Sequence, residues 1–266
     1  MLGYVCKYTP MELFEAMDTE ITRLEPSVTD FNHADTLMHA NICSYTKAVL
    51  EDVMEHDYEG VILTTCCDSI RRLYDTLKSQ FPDKFFFLLD IPRKFNDFAV
   101  TLYERQLKQM LTEYEAFSGK TLDLKRFVSM MQNKAALKKQ ENTRMSASAA
   151  SEKGNGQKLN IGIMGARCNN EIRQLLVDHG ANLLFDLTCT GLARDFSITE
   201  DQALHSYAAA LLNQIPCMRM LKAANREHFL DGFTDRLDGI IYHTVKFCDS
   251  YSYEYADFRQ RLDLPI

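Results

Sequence analysis

The chain has 266 residues, of which 30 are Lys or Arg and 37 are Asp or Glu, for a formal net charge of −7. This acidic balance, without a basic stripe interleaved with aromatic residues, argues against nucleic-acid binding, which requires clustered Lys and Arg. No basic segment followed by an apolar one opens the chain, and no apolar run approaches the roughly 20 residues of a membrane-spanning helix. We therefore expect a cytoplasmic protein with neither nucleic-acid nor membrane partners.

Short apolar runs alternate with longer amphipathic ones along the chain, a pattern typical of α/β folds with parallel sheets. The predicted strands are Leu2–Val5, Val61–Thr65, Phe85–Leu89, Leu159–Met164, Leu183–Leu187 and Ile240–Val245. The predicted helices are Pro10–Met17, Ala40–Glu55, Ser69–Phe81, Phe98–Phe117, Leu124–Lys139, Asn170–His179, Glu200–Asn213 and roughly Tyr253–Leu262. A capping box of Thr9 and Glu12, with Pro10 at the first helical position, is expected to start the first helix.

A polar segment without periodicity, residues 146–157 (SASAASEKGNGQ), is predicted to be a linker. The expected organisation is a first α/β domain at 1–95, a helical segment at 96–145, the linker, and a second α/β domain at 158–266. Both domains contain a glycine, an apolar strand and then Cys-Asp-Ser, which ends at Ser69 in the first and at Ser250 in the second. Capping explains the Asp and Ser of this motif, but not the Cys in front of both.

Eight cysteines are present, and disulfides are not expected in a cytoplasmic protein, where thiols are kept reduced. Five of them follow predicted strands: Cys6, Cys66, Cys67, Cys189 and Cys248. Ligands bind at that edge of an open parallel sheet, and the helix N-termini there favour thiolates. The pattern indicates an iron–sulfur cluster.

Two other interpretations of the cysteines stay open. Structural zinc sites normally use ligands two to four residues apart, whereas the one close pair in this chain, Cys66-Cys67, is adjacent in sequence. Any single cysteine is also commonly a small buried apolar residue, which is the favoured interpretation of Cys168.

Several stretches resemble the D-component family of 2-hydroxyacyl-CoA dehydratases, which includes benzoyl-CoA reductase subunits and double-cubane cluster proteins. The resembling stretches are Gly3–Leu13, Asn41–Tyr45, Cys67–Leu73, Ala116–Leu124, Cys189–Arg194, Ile215–Cys217 and Phe247–Asp249. They follow one another in order along nearly the whole chain. The resemblance implies two Rossmann-like domains with short parallel sheets and connecting helices, and a cluster in the crevice between them.

The resemblance also implies the cluster ligands. Dehydratase subunits hold a 4Fe–4S cluster with three cysteines, which correspond to Cys43, Cys67 and Cys248. The double-cubane branch adds three more, corresponding to Cys6, Cys189 and Cys217, so that six thiolates bind an 8Fe–9S cluster. Cysteine stands at all six positions, which favours the double-cubane branch. The choice between Cys66 and Cys67 stays open, and no catalytic residue is predicted.

By the same resemblance, the partners are an ATP-hydrolysing activator with its own 4Fe–4S cluster and a second subunit, in a homodimer or a heterodimer. The implied activity is ATP-dependent reduction of a small substrate, or dehydration of a 2-hydroxyacyl-CoA by a lyase.

The chain departs from the family pattern in length. Family members usually have a longer N-terminal lead and a longer linker, and they continue beyond Ile266, so a C-terminal truncation of the second domain is expected. This departure motivates a further hypothesis, a cluster-free or zinc-holding binding subunit.

Overall fold

The structure, a computed structural model, describes residues 1–28, 30–149, 158–168, 170–189, 191, 198–221 and 224–266. Within these ranges the chain forms seven strands and ten α-helices. The strands are β1 (Leu2–Tyr4), β2 (Ile21–Arg23), β3 (Gly60–Thr64), β4 (Phe85–Leu89), β5 (Asn160–Gly165), β6 (Asn182–Thr188) and β7 (Gly239–His243). The helices are α1 (Met11–Ala16), α2 (Asn32–Leu37), α3 (Ser44–Glu55), α4 (Asp68–Gln80), α5 (Asp97–Ser118), α6 (Leu124–Ala149), α7 (Asn170–Asp178), α8 (Ala203–Asn213), α9 (Ala224–Asp231) and α10 (Asp249–Arg261).

The strands form two parallel sheets, with the orders β2-β1-β3-β4 and β6-β5-β7. The two orders share a pattern, because β1 lies between β2 and β3, and β5 lies between β6 and β7. Helices connect the strands, as parallel pairing requires. The predicted α/β class with two Rossmann-like domains is confirmed, whereas the domain boundaries stay predictions.

Apolar packing is uneven between the halves. Every residue of β3 is buried, and β4 (FFFLL) is buried apart from one half-buried position, as expected of parallel strands covered on both faces. They belong to a large apolar cluster that extends from β1 to Tyr251 in α10. The second sheet has a smaller cluster of its own, made by Met164, Leu187, Leu230, Leu237, Ile240 and Phe258.

Contacts between the two halves bring the ends of both sheets together. Helix α5 of the first half packs against α8 of the second. The Tyr207 hydroxyl donates to the buried carboxylate of Glu12, and the Ser44 amide donates to the Lys246 carbonyl at 3.3 Å. Residues near position 10 and residues beyond 205 therefore share one interior.

Several predicted helix starts were wrong. Helix α8 begins at Ala203 rather than Glu200, and α10 begins at Asp249 rather than near Tyr253. Helix α1 begins at Met11, with Pro10 as its N-cap residue and no side-chain capping bond, so the expected Thr9 cap is not formed. Glu12 instead lies 3% exposed and accepts from Tyr207, because tertiary burial offers it a partner that the local sequence does not. Helix α3 begins at Ser44 rather than Ala40, which places Cys43 at its N-terminus.

The structure adds the short elements β2, α2 and α9, which carry too few apolar residues for a periodicity to be visible. Helix α6 extends to Ala149, so the first four residues of the predicted linker are helical, and residues 150–157 lie outside the described part. In the part of the chain described, no helix is both long and apolar enough to cross a membrane.

Candidate metal centre

Seven of the eight cysteines line two adjoining cavities, which we call the thiol cavities. The larger, of about 60 Å³, is lined by Cys6, Cys43, Cys66, Cys67, Cys189 and Cys248. The smaller, of about 20 Å³, is lined by Cys6, Cys66 and Cys217. Cys6, Cys66 and Arg219 line both. The six cysteines predicted from the sequence therefore come together, although they are as much as 242 positions apart in the chain (248 − 6).

Three of these cysteines are helix N-cap residues. Cys43 precedes α3, Cys67 precedes α4 and Cys248 precedes α10. Backbone hydrogen bonds from Ile70 and Tyr251, in the first turns of α4 and α10, favour the thiolates of Cys67 and Cys248. Helix N-termini carry a partial positive charge, which stabilises a thiolate. Three helices thus direct their positive ends at one cavity.

The other predicted cysteines are held by backbone contacts. Cys6 lies in the turn after β1, where its carbonyl accepts from the Thr9 amide at 2.9 Å. Cys189 follows β6, and its amide donates to the Gly165 carbonyl at 3.2 Å. The Cys217 amide donates to the Tyr8 hydroxyl at 3.1 Å, and its Sγ lies 3.3 Å from the Tyr251 hydroxyl.

One turn beside the centre is in a strained conformation. Phe247, directly before Cys248, has φ = 64°, in the left-handed region that non-glycine residues rarely occupy. The Cys248 amide donates to the Val245 carbonyl at 2.9 Å and closes this turn. Such strain is concentrated at functional sites, where the surrounding structure maintains it.

Cationic side chains lie among the thiols. The Arg219 guanidinium is close enough to stabilise negative charge on six of them: Cys6, Cys66, Cys67, Cys189, Cys217 and Cys248. The Lys7 ammonium, buried beside Tyr8, faces Cys217, Cys6 and Cys189, and burial lowers its pKa. A group of thiolates in this interior would therefore have counter-charges in place.

Proton affinity differs among the thiols. Hydrogen bonds with Cys6 and Cys67 lower the pKa of Cys66, while the same bonds, followed by burial, raise the pKa of Cys6 and of Cys67. Burial raises the pKa of Cys189 to about 12. Burial also opposes ionisation of Cys217, but the charges of Arg219 and Lys7, together with hydrogen bonds from the Arg219 backbone and the Tyr251 hydroxyl, outweigh it and lower the pKa of this thiol. Metal binding at this group would therefore be accompanied by proton release.

The donor set fits an iron–sulfur cluster. It consists of soft thiolate donors beside helix N-termini, the ligand chemistry that such clusters use. Among the residues described, no three His, Cys, Asp or Glu side chains are close enough to hold a single metal ion. A tetrahedral zinc site needs that spacing, whereas in a cubane each thiolate binds a different iron atom and the sulfurs stand further apart.

Sequence reasoning missed part of this group. The predicted ligand set leaves out Cys66, which is adjacent to Cys67, yet Cys66 lines both thiol cavities. Arg219 stands two residues after Cys217, a proximity that could have indicated its place. Cys168 lines neither cavity and is fully buried near Arg173 and Asp186. Of the resembling stretch 189–194, positions 190 and 192–194 lie outside the described residues.

Comparison with protein families agrees with this arrangement. The family described as 2-hydroxyglutaryl-CoA dehydratase, D-component, matches residues 6–152 and 129–266, which together span nearly the whole chain. The chain belongs to this family. A search of curated proteins found no match. The dehydratase D-component family is known for iron–sulfur clusters and generally works with an activator and partner subunits.

Proposed function

We propose that this D-component family member is an iron–sulfur redox protein that carries an 8Fe–9S double-cubane cluster on Cys6, Cys43, Cys67, Cys189, Cys217 and Cys248. An ATP-hydrolysing activator with its own 4Fe–4S cluster supplies the electrons, in an anaerobic cytoplasm. The protein uses them to reduce a small substrate and acts as a homodimer or with a related subunit.

The observation that carries the proposal is the gathering of all six cysteines around two cavities that share Cys6, Cys66 and Arg219. Buried structural cysteines have no reason to converge, since each is satisfied by local apolar packing. Six cysteines that converge from separate turns and loops are instead what binding of one polynuclear cluster requires.

The environment of the two cysteine sets favours two cubanes over one. The first set is Cys43, Cys67 and Cys248, the three helix N-caps around the larger cavity. The second set is Cys6, Cys189 and Cys217, the three thiols that the Lys7 ammonium faces. Each set thus has its own source of positive charge, three helix ends for the first and a buried lysine for the second.

When bound, the cluster supplies one-electron chemistry at low potential. The protein contributes ligands, exclusion of water and counter-charge. Arg219 and Lys7 offset the negative charge of the thiolates, and their hydrogen bonds and charges would tune the potential. Cys66, hydrogen-bonded with both Cys6 and Cys67, adds a seventh thiol to this environment.

A second candidate is a 4Fe–4S subunit of a 2-hydroxyacyl-CoA dehydratase or benzoyl-CoA reductase type of enzyme. It would use only Cys43, Cys67 and Cys248. The observation that favours it is the shared N-cap position of these three residues, which the second set lacks. The cluster-free or zinc-holding binding subunit is the third hypothesis.

Iron, acid-labile sulfide and zinc, measured on the full chain purified without oxygen, separate these candidates. The proposal predicts a brown protein with about eight iron atoms per chain, since two cubanes contain eight. About four iron atoms, retained in Cys6→Ala and Cys217→Ala, would establish the dehydratase-type cluster instead. Zinc alone, or neither metal, would overturn both iron–sulfur candidates.

Cysteine variants test the ligand set in the same preparations. Cys6→Ala and Cys217→Ala should each lose about half of the iron or more, because each removes a ligand of the second set. Cys168→Ala is the matched control, a buried cysteine outside both thiol cavities, and it should keep wild-type iron content.

A further inference from the structure

A third cavity, which we call the outer cavity, adjoins the thiol cavities. Its volume is about 430 Å³, within the range of roughly 300–1,000 Å³ usual for small-molecule sites. Tyr45, Arg167 and Val245 line both it and the larger thiol cavity. A molecule in the outer cavity would therefore be separated from the thiols by a wall of single side chains.

Two helix N-termini contribute to the outer cavity. Helix α3 begins at Ser44 and α7 begins at Asn170, and both residues line it. The positive dipole ends of helices favour a negatively charged group.

Arg167 provides an independent indication of a ligand. Its side chain is 8% exposed, Nη2 donates to the Leu24 carbonyl, and the guanidinium lies 4.1 Å from the centre of the Tyr45 ring. Nη1 is buried and has no hydrogen-bond partner among the described residues. A buried cationic donor without an acceptor is costly, and such a group calls for a missing ion or ligand.

The other charges of the wall limit which anion can bind. Glu25 lies 3.8 Å from Arg167 but also accepts from Arg23 Nε at 2.7 Å, so its charge is shared between two arginines. Glu171 lines the cavity and has an interaction of its own. Burial lowers the pKa of His243, which leaves that ring neutral near pH 7. Two glutamates in the lining of a cavity with one buried guanidinium favour a monoanion over a phosphate dianion.

The remaining lining is apolar and includes Val28, Phe31, Ala48 and Ile172. We propose that the outer cavity binds a small organic carboxylate, whose oxygen accepts from Arg167 Nη1 while a short hydrocarbon chain packs against this apolar wall. That this carboxylate is the substrate rests on the proposed function, because the role follows from its place beside the thiol cavities.

Binding of butyrate and of butyramide to the full chain, purified without oxygen and followed by calorimetry, tests the inference. The two probes share a carbon chain and differ in charge. Butyrate should bind at least about tenfold more tightly than butyramide, since a hydrogen bond to a charged group contributes about 1.5–3 kcal/mol. Equal affinity for the two probes, or no binding of butyrate, would overturn the proposal.

Variants of Arg167 locate the site. Arg167→Gln should lose the preference for butyrate, and Arg167→Lys should keep part of it. Arg72→Gln is the matched control, because Arg72 is exposed, lines none of the three cavities and pairs with Asp75 at 2.8 Å within its own helix. A preference that persists in Arg167→Gln would show that the carboxylate binds elsewhere.

A cavity-filling variant covers the case in which Arg167→Gln does not fold. Val28→Phe keeps Arg167 and adds a ring to the wall of the outer cavity, so it should abolish butyrate binding with an unchanged circular dichroism spectrum. Butyrate binding at wild-type affinity in this variant would contradict the inference. Iron and sulfide content, measured on the same samples, reports separately on the proposed function: butyrate binding by a protein without iron would refute that function alone.

Discussion

The two halves of the molecule use one strand-to-helix unit in different surroundings. Strands β3 and β7 each begin with a glycine, lie beside the first strand of their sheet and lead to an N-cap cysteine followed by Asp-Ser. A Cβ on Gly60 would lie 1.9 Å from the Phe85 carbonyl oxygen, and one on Gly239 would lie 3.2 Å from that of Pro265. Pro265 therefore lies along the edge of β7 in the position that corresponds to β4 along the edge of β3.

The interiors of the halves differ. In β3, Ile62 is fully buried, whereas its counterpart in β7, Ile241, is 39% exposed. The second half instead buries a polar network: Arg226 is 1% exposed and binds Glu254 through two bonds of 2.8 and 3.0 Å. Cys67 and Cys248 are N-cap residues in both halves, so the strand-to-helix unit forms in the same way although the interiors are packed differently.

The largest expected effect comes from breaking the polar network of the second half. Arg226→Met should reduce the free energy of unfolding by about 3–5 kcal/mol, because it leaves the Glu254 carboxylate buried without its counter-charge. Arg226 also donates to the carbonyls of Leu187 and Pro216, which join β6 to the loop before Cys217. Urea denaturation measures the change.

The double variant Arg226→Met, Glu254→Met is the control, since it removes both charges. It should recover much of the loss, and a double variant as unstable as the single one would show that the carbonyl contacts, and not the ion pair, dominate.

A matched pair of substitutions compares the apolar packing of the halves directly. Ile62→Ala should cost about 2–5 kcal/mol, the usual cost of emptying a buried position. Ile241→Ala should cost less than about 1 kcal/mol, because its side chain is already partly in water. Both are measured by urea denaturation, and equal costs would contradict the difference in packing between the halves.

The smallest expected effect concerns an ion pair at the surface of the first half. Arg126 hydrogen-bonds to Asp18 through both carboxylate oxygens and lowers its pKa. The pair therefore stabilises the folded state above the unfolded carboxyl pKa of about 4, and this contribution is lost as the pH falls through the lower folded-state pKa. Asp18→Asn should slightly lower the melting temperature at pH 7.

The difference between wild type and Asp18→Asn should disappear near pH 2 and shrink in 1 M salt, because exposed pairs are screened. Asp257→Asn is the comparison from the second half, since Asp257 pairs with Arg261 within one helix. A difference for Asp18→Asn that grows as the pH falls would refute this assignment.

Much of the architecture could be predicted from local patterns. The runs of β3 and β4 and the turns that carry Cys6, Cys66 and Cys67 follow from apolar periodicity and from where it stops. Helix starts were harder to predict. The partner of Glu12, which the expected capping box would have placed in the same turn, is Tyr207, 195 positions away.

The sequence by itself determined the α/β class, the order of the strands along the chain and the presence of cysteines at strand ends, because these depend on residues near one another. Only the tertiary structure decided that seven thiols share two cavities, that Arg219 and Lys7 lie among them, and that Arg167 stands between thiols and outer cavity. These arrangements depend on how the two sheets pack together. Periodicity carries no information on that packing, since it reports which face of a strand or helix is buried and not what covers it.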